Sequence, residues 1–214
     1  PHQIKKNSDA KDAVTLYRKI LAKQNDNSVV IITVGFLTNI ANLLQSKPDA
    51  YSPLNGVELV KKKVKKMVSM GGKFPAGKEF NLFKDIKASQ YAFAHFPKPV
   101  YFSGFEIGEQ IKCGLPLVHN DKIQHNPVKD VFRICLPQAA EDSAGRKSWD
   151  EVTTLIAITG YQPYYNAKEG SIVIADDGSN TWNQNGKNQY YLVDKNAALL
   201  MQKKIDELMM HLPK

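Results

Sequence analysis

Two short apolar runs, each followed by polar or glycine residues, constrain the fold of this chain most strongly. Residues 29–34 read Val-Val-Ile-Ile-Thr-Val, and residues 67–70 read Met-Val-Ser-Met. Strands this apolar are usually covered on both faces, as in the parallel sheets of α/β proteins. Ligands of such sheets bind outside the carboxyl ends of the strands. The residues after Val34 and after Met70 are therefore predicted to share one edge of the sheet, where a binding site is expected.

Amphipathic helices alternate with these strands. Helical periodicity covers residues 9–23 and 85–95, and another apolar strand covers residues 99–104. A further helix opens at Ser148, where Glu151 three residues later completes a capping-box pattern. The alternation predicts a Rossmann-like α/β fold with a mostly parallel sheet flanked by helices.

The pattern changes after Gly160. Residues 171–175 and 189–193 are strand-like and are separated by a turn-rich stretch, which predicts a β-ribbon appended to the α/β body. A closing amphipathic helix follows. We therefore expect residues 1–160 to form the α/β part, with residues 161–214 as a ribbon and terminal helix packed on the same domain.

The composition excludes several classes of protein. With 214 residues and 43% hydrophobic content, the chain can bury one large core or at most two small ones. No apolar run approaches the length that crosses a bilayer. The two cysteines, Cys113 and Cys135, are too few for a disulfide framework and lack metal-site spacing, so buried free thiols are favoured over a bridge.

The net charge is +8, and positive charge is densest at residues 61–66, where five residues are lysines. A nucleic-acid patch would fit this charge. However, no aromatic residue is interleaved with the lysines, and lysines at the end of a helix are stabilised by its dipole. A solvated face is therefore favoured, and no nucleic-acid partner is expected.

Polar residues near the predicted edge are candidates for a binding site. In an extended segment Glu79 and Asn81 would face the same way, and a carboxylate beside an amide can hold vicinal hydroxyls. A solvated loop is the alternative. Asn39 fits either a helix surface or a ligand contact. Asp150 lies in the first turn of a helix, where the dipole favours a charged carboxylate, and Trp149 fits either a stacking platform or the core.

Taken in order, these motifs resemble the inosine/uridine-preferring nucleoside hydrolases. The resemblance is carried by Val-Gly-Phe-Leu-Thr-Asn at residues 34–39, Met-Gly-Gly at residues 70–72, Glu-Phe-Asn at residues 79–81, Asp85 and Asp150. The Trp149-Asp150 pair and the aromatic tail are similar to a bacterial subgroup. The resemblance implies a calcium-bound site that cleaves the N-glycosidic bond of ribonucleosides.

The resemblance also implies roles for individual residues. Ca²⁺, which prefers oxygen ligands, is expected at the main-chain carbonyl of Val34 and the carboxylate of Asp150. The expected substrate-binding residues are Asn39, Met70, Glu79, Phe80, Asn81 and Trp149, with Glu79 and Asn81 on ribose hydroxyls. No catalytic residue is assigned in this chain. Trp149 stands where many members have a His that assists the leaving base, and an indole cannot protonate that base.

The chain departs from the family pattern at the family's first strand. That strand ends in an aspartate cluster that supplies further calcium ligands and the base that activates water, but no Asp-x-Asp-x-x-x-Asp-Asp pattern occurs here. In a doubly wound sheet the first strand is usually central, and its loss would leave unpaired strand edges. We therefore expect residues 1–214 to be the C-terminal part of a longer polypeptide, with an N-terminal segment as partner.

Two functions remain open from the sequence. One is calcium-dependent hydrolysis of ribonucleosides by the complete protein, with this chain inactive alone. The other is a non-catalytic sugar-binding protein on the same fold, which Trp149 and the aromatic tail favour. In both cases the ligand is a ribonucleoside or a related sugar, and a homo-oligomer is expected. A periplasmic or secreted location is also expected, since the related subgroup is partly exported.

Overall fold

The computed structural model describes residues 3–211. The helices are α1 (Ala13–Lys23), α2 (Thr38–Gln45), α3 (Gly56–Lys63), α4 (Phe80–Phe83), α5 (Ile86–His95), α6 (Phe105–Gly108), α7 (Leu115–Val118), α8 (Pro127–Cys135), α9 (Trp149–Thr159) and α10 (Ala198–Met209). The strands are β1 (Val29–Thr33), β2 (Val64–Met70), β3 (Ala76–Lys78), β4 (Val100–Ser103), β5 (Lys112–Cys113), β6 (Arg146–Lys147), β7 (Tyr165–Ile174), β8 (Ser179–Asn183) and β9 (Gln189–Asp194). Short 3-10 helices cover Asn7–Asp9, Leu136–Gln138 and Ala140–Asp142.

A seven-stranded sheet forms the centre of the molecule, in the order β1-β2-β4-β9-β7-β8-β3. The strands β1, β2, β4 and β9 run parallel, and β7, β8 and β3 continue the sheet in antiparallel fashion. Met67 and Val68 are adjacent on β2, so their side chains point to opposite faces, and they belong to two separate buried clusters. Helices thus cover both faces, and the predicted Rossmann-like α/β fold is confirmed.

The two apolar runs of the sequence are neighbouring parallel strands. Ile31 on β1 is paired in register with Met67 on β2, and Thr33 is paired with Ser69. The hydroxyl of Thr33 donates a hydrogen bond to Ser69 Oγ at 2.8 Å, which ties the ends of the two strands together. Both strands therefore end at the same edge of the sheet, as the sequence predicts.

Strands follow Gly160 as expected, but the stretch predicted as turns contains a third strand, β8, and β9 joins the central sheet itself. Strand β7 pairs antiparallel with β8 on one side and with β9 on the other. Tyr191 and Leu192 on β9 are 8% and 1% exposed, so this strand is apolar on both faces and fits the sheet interior. It lies parallel beside β4, with Val100 opposite Gln189.

The lysine run lies far from the edge that carries the candidate site. Lys61, Lys62 and Lys63 end α3, and Lys65 and Lys66 lie near the start of β2. Met70 ends the same strand. Because a strand rises about 3.3 Å per residue, the lysines lie near the opposite edge of the sheet.

None of the helices between residues 3 and 211 combines the length and apolar character that a membrane span requires.

Candidate functional site

A cavity of about 330 Å³ lies at the shared edge of β1 and β2. It is lined by Val34, Met70, Glu79, Phe80, Asn81, Phe105, Arg146, Trp149 and Asp150. The structure therefore brings together every predicted site residue except Asn39, which is exposed on α2 outside this cavity. A larger groove of about 630 Å³ runs between α2 and α5, but it contains none of the predicted residues. We therefore assign the candidate site to the smaller cavity.

Glu79 is a buried carboxylate at the start of a helical turn. The segment after it is not extended, as its sequence suggested, because Glu79 is the N-cap of α4. Its Oε1 accepts the backbone N–H of Asn81 at 2.9 Å, and its Oε2 accepts those of Leu82 at 3.3 Å and Gly72 at 3.2 Å. Gly72 has a φ of +81°, a conformation that glycine adopts at little cost. The side chain of Glu79 is therefore oriented by capping of α4 and not by the alternating side-chain directions of an extended segment.

Two opposing effects act on the ionisation of Glu79. Burial of this side chain, which is 3% exposed, raises its pKa, and the neighbouring carboxylate of Asp150 acts in the same direction. The backbone hydrogen bonds from Asn81, Gly72 and Leu82 lower the pKa, but burial has the larger effect. The cavity therefore holds two carboxylates that disfavour each other's charge.

Asn81 is oriented by the end of strand β2. Its Nδ2 donates to the backbone carbonyl of Met70 at 3.2 Å and lies 3.1 Å from Met70 Sδ. The donor side of the amide is therefore occupied, and within residues 3–211 no group donates to its Oδ1. The cavity thus offers a ligand an acceptor oxygen at Asn81, beside the carboxylate of Glu79.

Trp149 forms an aromatic wall of the cavity at the start of α9. Its Nε1 donates to the backbone carbonyl of Phe105 at 2.8 Å, and the two rings lie 5.4 Å apart at an angle of 32°. The predicted capping box is wrong, because Ser148 makes no side-chain cap and its hydroxyl donates instead to the carbonyl of Arg146 at 3.1 Å. The indole is held by its own hydrogen bond, and its N–H has no proton to offer a ligand.

Two lining residues, Phe105 and Arg146, were not predicted. Phe105 follows the carboxyl end of β4, so the rule that pointed to Val34 and Met70 applies to it as well. Arg146 carries no recognisable signal in the sequence. It reaches the cavity because the short pair of β5 and β6 brings residues 146 and 147 to the start of α9.

This chain has relatives among known proteins. Residues 1–205 match the family described as inosine-uridine preferring nucleoside hydrolase. The chain belongs to this family. It is 30% identical over 122 residues to the pyrimidine-specific ribonucleoside hydrolase RihA of Shewanella sp. (strain ANA-3), a match that covers 55% of this chain and 32% of that protein. It is also 30% identical over 132 residues to the RihA of Photobacterium profundum, covering 59% and 36% of the two chains. The matches thus span about a third of these curated relatives.

Solved structures of nucleoside hydrolases share the fold. A plant nucleoside hydrolase, the PpNRh1 enzyme, superimposes with a TM-score of 0.71 at 16% identity, over 99% of this chain and 71% of that one. The inosine-uridine preferring nucleoside hydrolase of Bacillus anthracis gives a TM-score of 0.59 at 15% identity, over 92% and 66% of the two chains. The nucleoside hydrolase fold is therefore retained in this chain.

The oxygen ligands available within residues 3–211 do not complete a calcium site. Ca²⁺ takes six to eight oxygen ligands. Among residues 3–211 no group of three or more His, Cys, Asp or Glu side chains is arranged to hold a metal ion. Val34 and Asp150 do line the same cavity, and burial raises the pKa of Asp150, with no described residue donating a hydrogen bond to its carboxylate. The described residues thus supply some of the oxygen ligands of a calcium ion but not a complete coordination shell.

Proposed function

We propose that this chain provides the ribose-binding part of a nucleoside hydrolase. In the complete protein, the reaction is hydrolysis of the N-glycosidic bond of ribonucleosides. The observation that carries the proposal is the composition of one cavity, which is lined by Glu79 and Asn81, with their acceptor oxygens, and by Trp149, with its flat ring. Sugar hydroxyls need acceptors, and a nucleobase needs a flat apolar surface. A ribonucleoside carries both features.

The charge in the cavity suits this reaction. Cleavage of a glycosidic bond passes through an oxocarbenium-like transition state. Preorganised negative groups near the positive charge that develops on the sugar stabilise that transition state. Glu79 and Asp150 are the acidic residues that line the cavity. This arrangement supports an enzyme that acts on the sugar, but neither carboxylate is assigned here as the base that activates water.

We propose calcium only for the complete protein, with Val34 and Asp150 as this chain's ligands. The remaining oxygen ligands, and the base, would come from residues outside this chain. When bound, Ca²⁺ would supply positive charge near the sugar hydroxyls and the attacking water. On this proposal the chain alone binds sugar but does not turn it over.

Calorimetric titration of the chain with D-ribose, inosine and uridine tests the binding site. Asn81→Ala removes an acceptor oxygen in the cavity, whereas Asn39→Ala removes the same side chain from an exposed position outside it. We expect Asn81→Ala to weaken ribose binding about tenfold, the effect of losing roughly one hydrogen bond, and Asn39→Ala to leave it unchanged. Equal effects of the two substitutions would refute the assignment of the cavity.

The alternative is a sugar-binding protein that has no hydrolase activity. It is favoured by Trp149, whose N–H is already donated to Phe105 and cannot assist a leaving base. Release of free base from inosine or uridine, followed with and without calcium, separates the two functions. Turnover by the complete protein would exclude the binder, and sugar affinity without turnover in that protein would exclude the enzyme. Turnover by this chain alone would contradict its proposed inactivity.

A further inference from the structure

Departure of a nucleobase requires something to stabilise the charge that develops on it. When the C1′–N bond breaks, the electron pair remains on the base, while the oxygen of water forms the new bond to C1′ and the proton lost from water goes to solvent. The base then takes a proton from solvent to become neutral. The acidic residues of the cavity, Glu79 and Asp150, oppose this negative charge, and Trp149 has no N–H to offer.

Arg146 is the cationic residue among those that line the cavity. Its Nη1 donates to Asp142 Oδ2 at 2.7 Å, and Asp142 is 3% exposed, so the guanidinium is held by a buried carboxylate. That bond also raises the pKa of Arg146 above its already high value, which keeps the group charged. The Arg146 side chain is nevertheless 50% exposed, and Nε and Nη2 make no hydrogen bond to any residue within 3–211.

The backbone of Arg146 is fixed beside the aromatic wall. Cys113 on β5 pairs with Arg146 on β6, and Ser148 Oγ donates to the Arg146 carbonyl. Trp149 begins α9 three residues later. Lys73 and Lys147 lie over the rings of Phe105 and Trp149, at 5.3 and 5.7 Å from the ring centroids, but do not line the cavity. Of these three cationic side chains, Arg146 is therefore the one that lines the cavity together with Trp149.

We infer that Arg146 contacts the departing base and stabilises its negative charge by donating hydrogen bonds from Nε or Nη2. This inference rests on the proposed function. Arg146 keeps its own proton, so its role is electrostatic and not acid catalysis. The contact suits bases with a ring carbonyl oxygen, such as uracil and hypoxanthine, because a guanidinium only donates. Adenine, which lacks a carbonyl oxygen, is expected to bind less well.

The test uses uracil, which is neutral at neutral pH, and 5-nitrouracil, which is an anion and imitates the departing base. Their affinities and that of D-ribose are measured by calorimetry in the wild type, Arg146→Gln and Arg133→Gln. Arg133 is a matched control, because it is an exposed arginine with an aspartate partner on α8. We expect Arg146→Gln to weaken 5-nitrouracil binding about tenfold or more, the range for a charge-assisted hydrogen bond. Uracil binding should fall less, ribose binding should not change, and Arg133→Gln should behave as the wild type.

A second variant distinguishes a loss of binding from a folding defect. Arg146→Gln leaves the buried carboxylate of Asp142 without its cation, so the double variant Arg146→Gln/Asp142→Asn is measured as well, with its melting temperature. Equal binding of 5-nitrouracil by the wild type and the double variant would overturn the inference. A parallel loss of ribose binding would do so too, because it would indicate a structural role. If the wild type does not bind ribose, both the proposed function and this inference are wrong. If the wild type binds ribose but its affinity for 5-nitrouracil does not depend on Arg146, only this inference is wrong.

Discussion

At the scale of a single residue, Glu79 both caps a helix and lines the candidate cavity. Its carboxylate oxygens accept three backbone N–H groups and so fasten the turn at Gly72 to the start of α4. The same carboxylate lines the candidate sugar cavity. A substitution at this position therefore changes the shape of the cavity as well as its chemistry, and loss of binding alone would not identify a ligand contact.

Replacing Glu79 by Gln is expected to lower the free energy of unfolding by about 1–3 kcal/mol, because a buried N–H loses its acceptor. A Gln side chain has one acceptor oxygen, whereas both carboxylate oxygens of Glu79 are used. Urea denaturation measures the change. Glu207→Gln, at a carboxylate that is 70% exposed on α10, is the control and should stay within about 0.5 kcal/mol of the wild type. Equal midpoints for the two variants would contradict the capping role.

The thiol of Cys113 is expected to be inert in the folded protein. Burial raises the pKa of Cys113 from 9.0 to about 12, and only the thiolate reacts with disulfide reagents. Because the folded pKa is raised, the neutral thiol stabilises the fold fully below pH 9.0, and this contribution is lost as the pH rises towards 12. At pH 8, a disulfide reagent should label Cys113 only after urea is added, and fast labelling in native buffer would disprove this.

Single residues differ in how far the sequence predicts them. Val34, Met70 and the run from Glu79 to Asn81 could be found because strand ends meet at one edge and the motifs follow in order. Arg146 could not, since its position depends on a two-residue strand pair that no local pattern indicates. Glu79 was predicted to face the cavity, which it lines, but on an extended geometry that the chain does not adopt, because Glu79 caps α4 there.

At the scale of elements, one arginine joins α1 to the loop between α2 and α3. Arg18 is 2% exposed, and its guanidinium donates to Asp49, to Ser46 Oγ and to the backbone carbonyls of Ser52 and Leu54 at distances of 2.8 to 3.1 Å. The planar fork of arginine meets these acceptors together, which the single ammonium of lysine cannot do. The contact is therefore specific to arginine.

Arg18→Lys is expected to destabilise the protein by about 2–4 kcal/mol, because buried acceptors lose their donors. Arg133→Lys, at a side chain that is 61% exposed on α8, is the control and should have little effect.

The hydrogen bond from Arg18 lowers the pKa of Asp49 below 3.8. The contribution of the pair is thus present above pH 3.8 and is lost as the pH falls through the lowered value. The difference between the urea midpoints of wild type and variant should therefore narrow in acid, leaving the part due to the neutral acceptors. A constant difference down to the lowest pH would contradict this.

Elements with strong periodicity were predicted to within a few residues. The helix expected over residues 85–95 is Ile86–His95, because its apolar spacing and the carboxylate of Asp85 at its N-cap agree. The helix expected over residues 9–23 begins later, at Ala13, because Asp12 provides the cap by accepting the N–H of Thr15. The N-cap residues thus determine where these helices begin, which hydrophobic periodicity alone does not specify.

At the scale of the whole molecule, the strongest basic run and the cavity occupy different edges of the sheet. Nucleic-acid binding by the lysines and nucleoside binding in the cavity are therefore expected to be separable. A nucleoside carries no phosphate, so uridine affinity should change less than about twofold between roughly 50 and 200 mM salt, whereas binding through phosphate contacts would fall by orders of magnitude. Calorimetry at the two salt concentrations makes the comparison. A steep loss of affinity with salt would contradict the assignment of the ligand to the cavity.

The order of the strands could not be predicted from the sequence. Local patterns identify β9 and the C-terminal part of β7 as strands but miss β8, which lies in the stretch expected to be turns. The position of β9 between β4 and β7 depends on pairing across long stretches of chain. The stacking of Tyr101 on Tyr190, with ring centroids 4.9 Å apart, is one such distant contact. Alternation of strands and helices predicts the class of fold, whereas packing between distant segments decides the topology.

The two tryptophans of the chain lie in different surroundings, and this makes the candidate site visible to spectroscopy. Trp149 lines the cavity, while Trp182 packs against Phe74 and Tyr191 with ring centroids 5.4 and 5.0 Å away. A Trp182→Phe variant would leave one indole, whose emission comes from the cavity wall itself. Because the Phe105 carbonyl holds that indole in place, a change in its fluorescence would report a ligand arriving at the ring and not a rotation of the side chain.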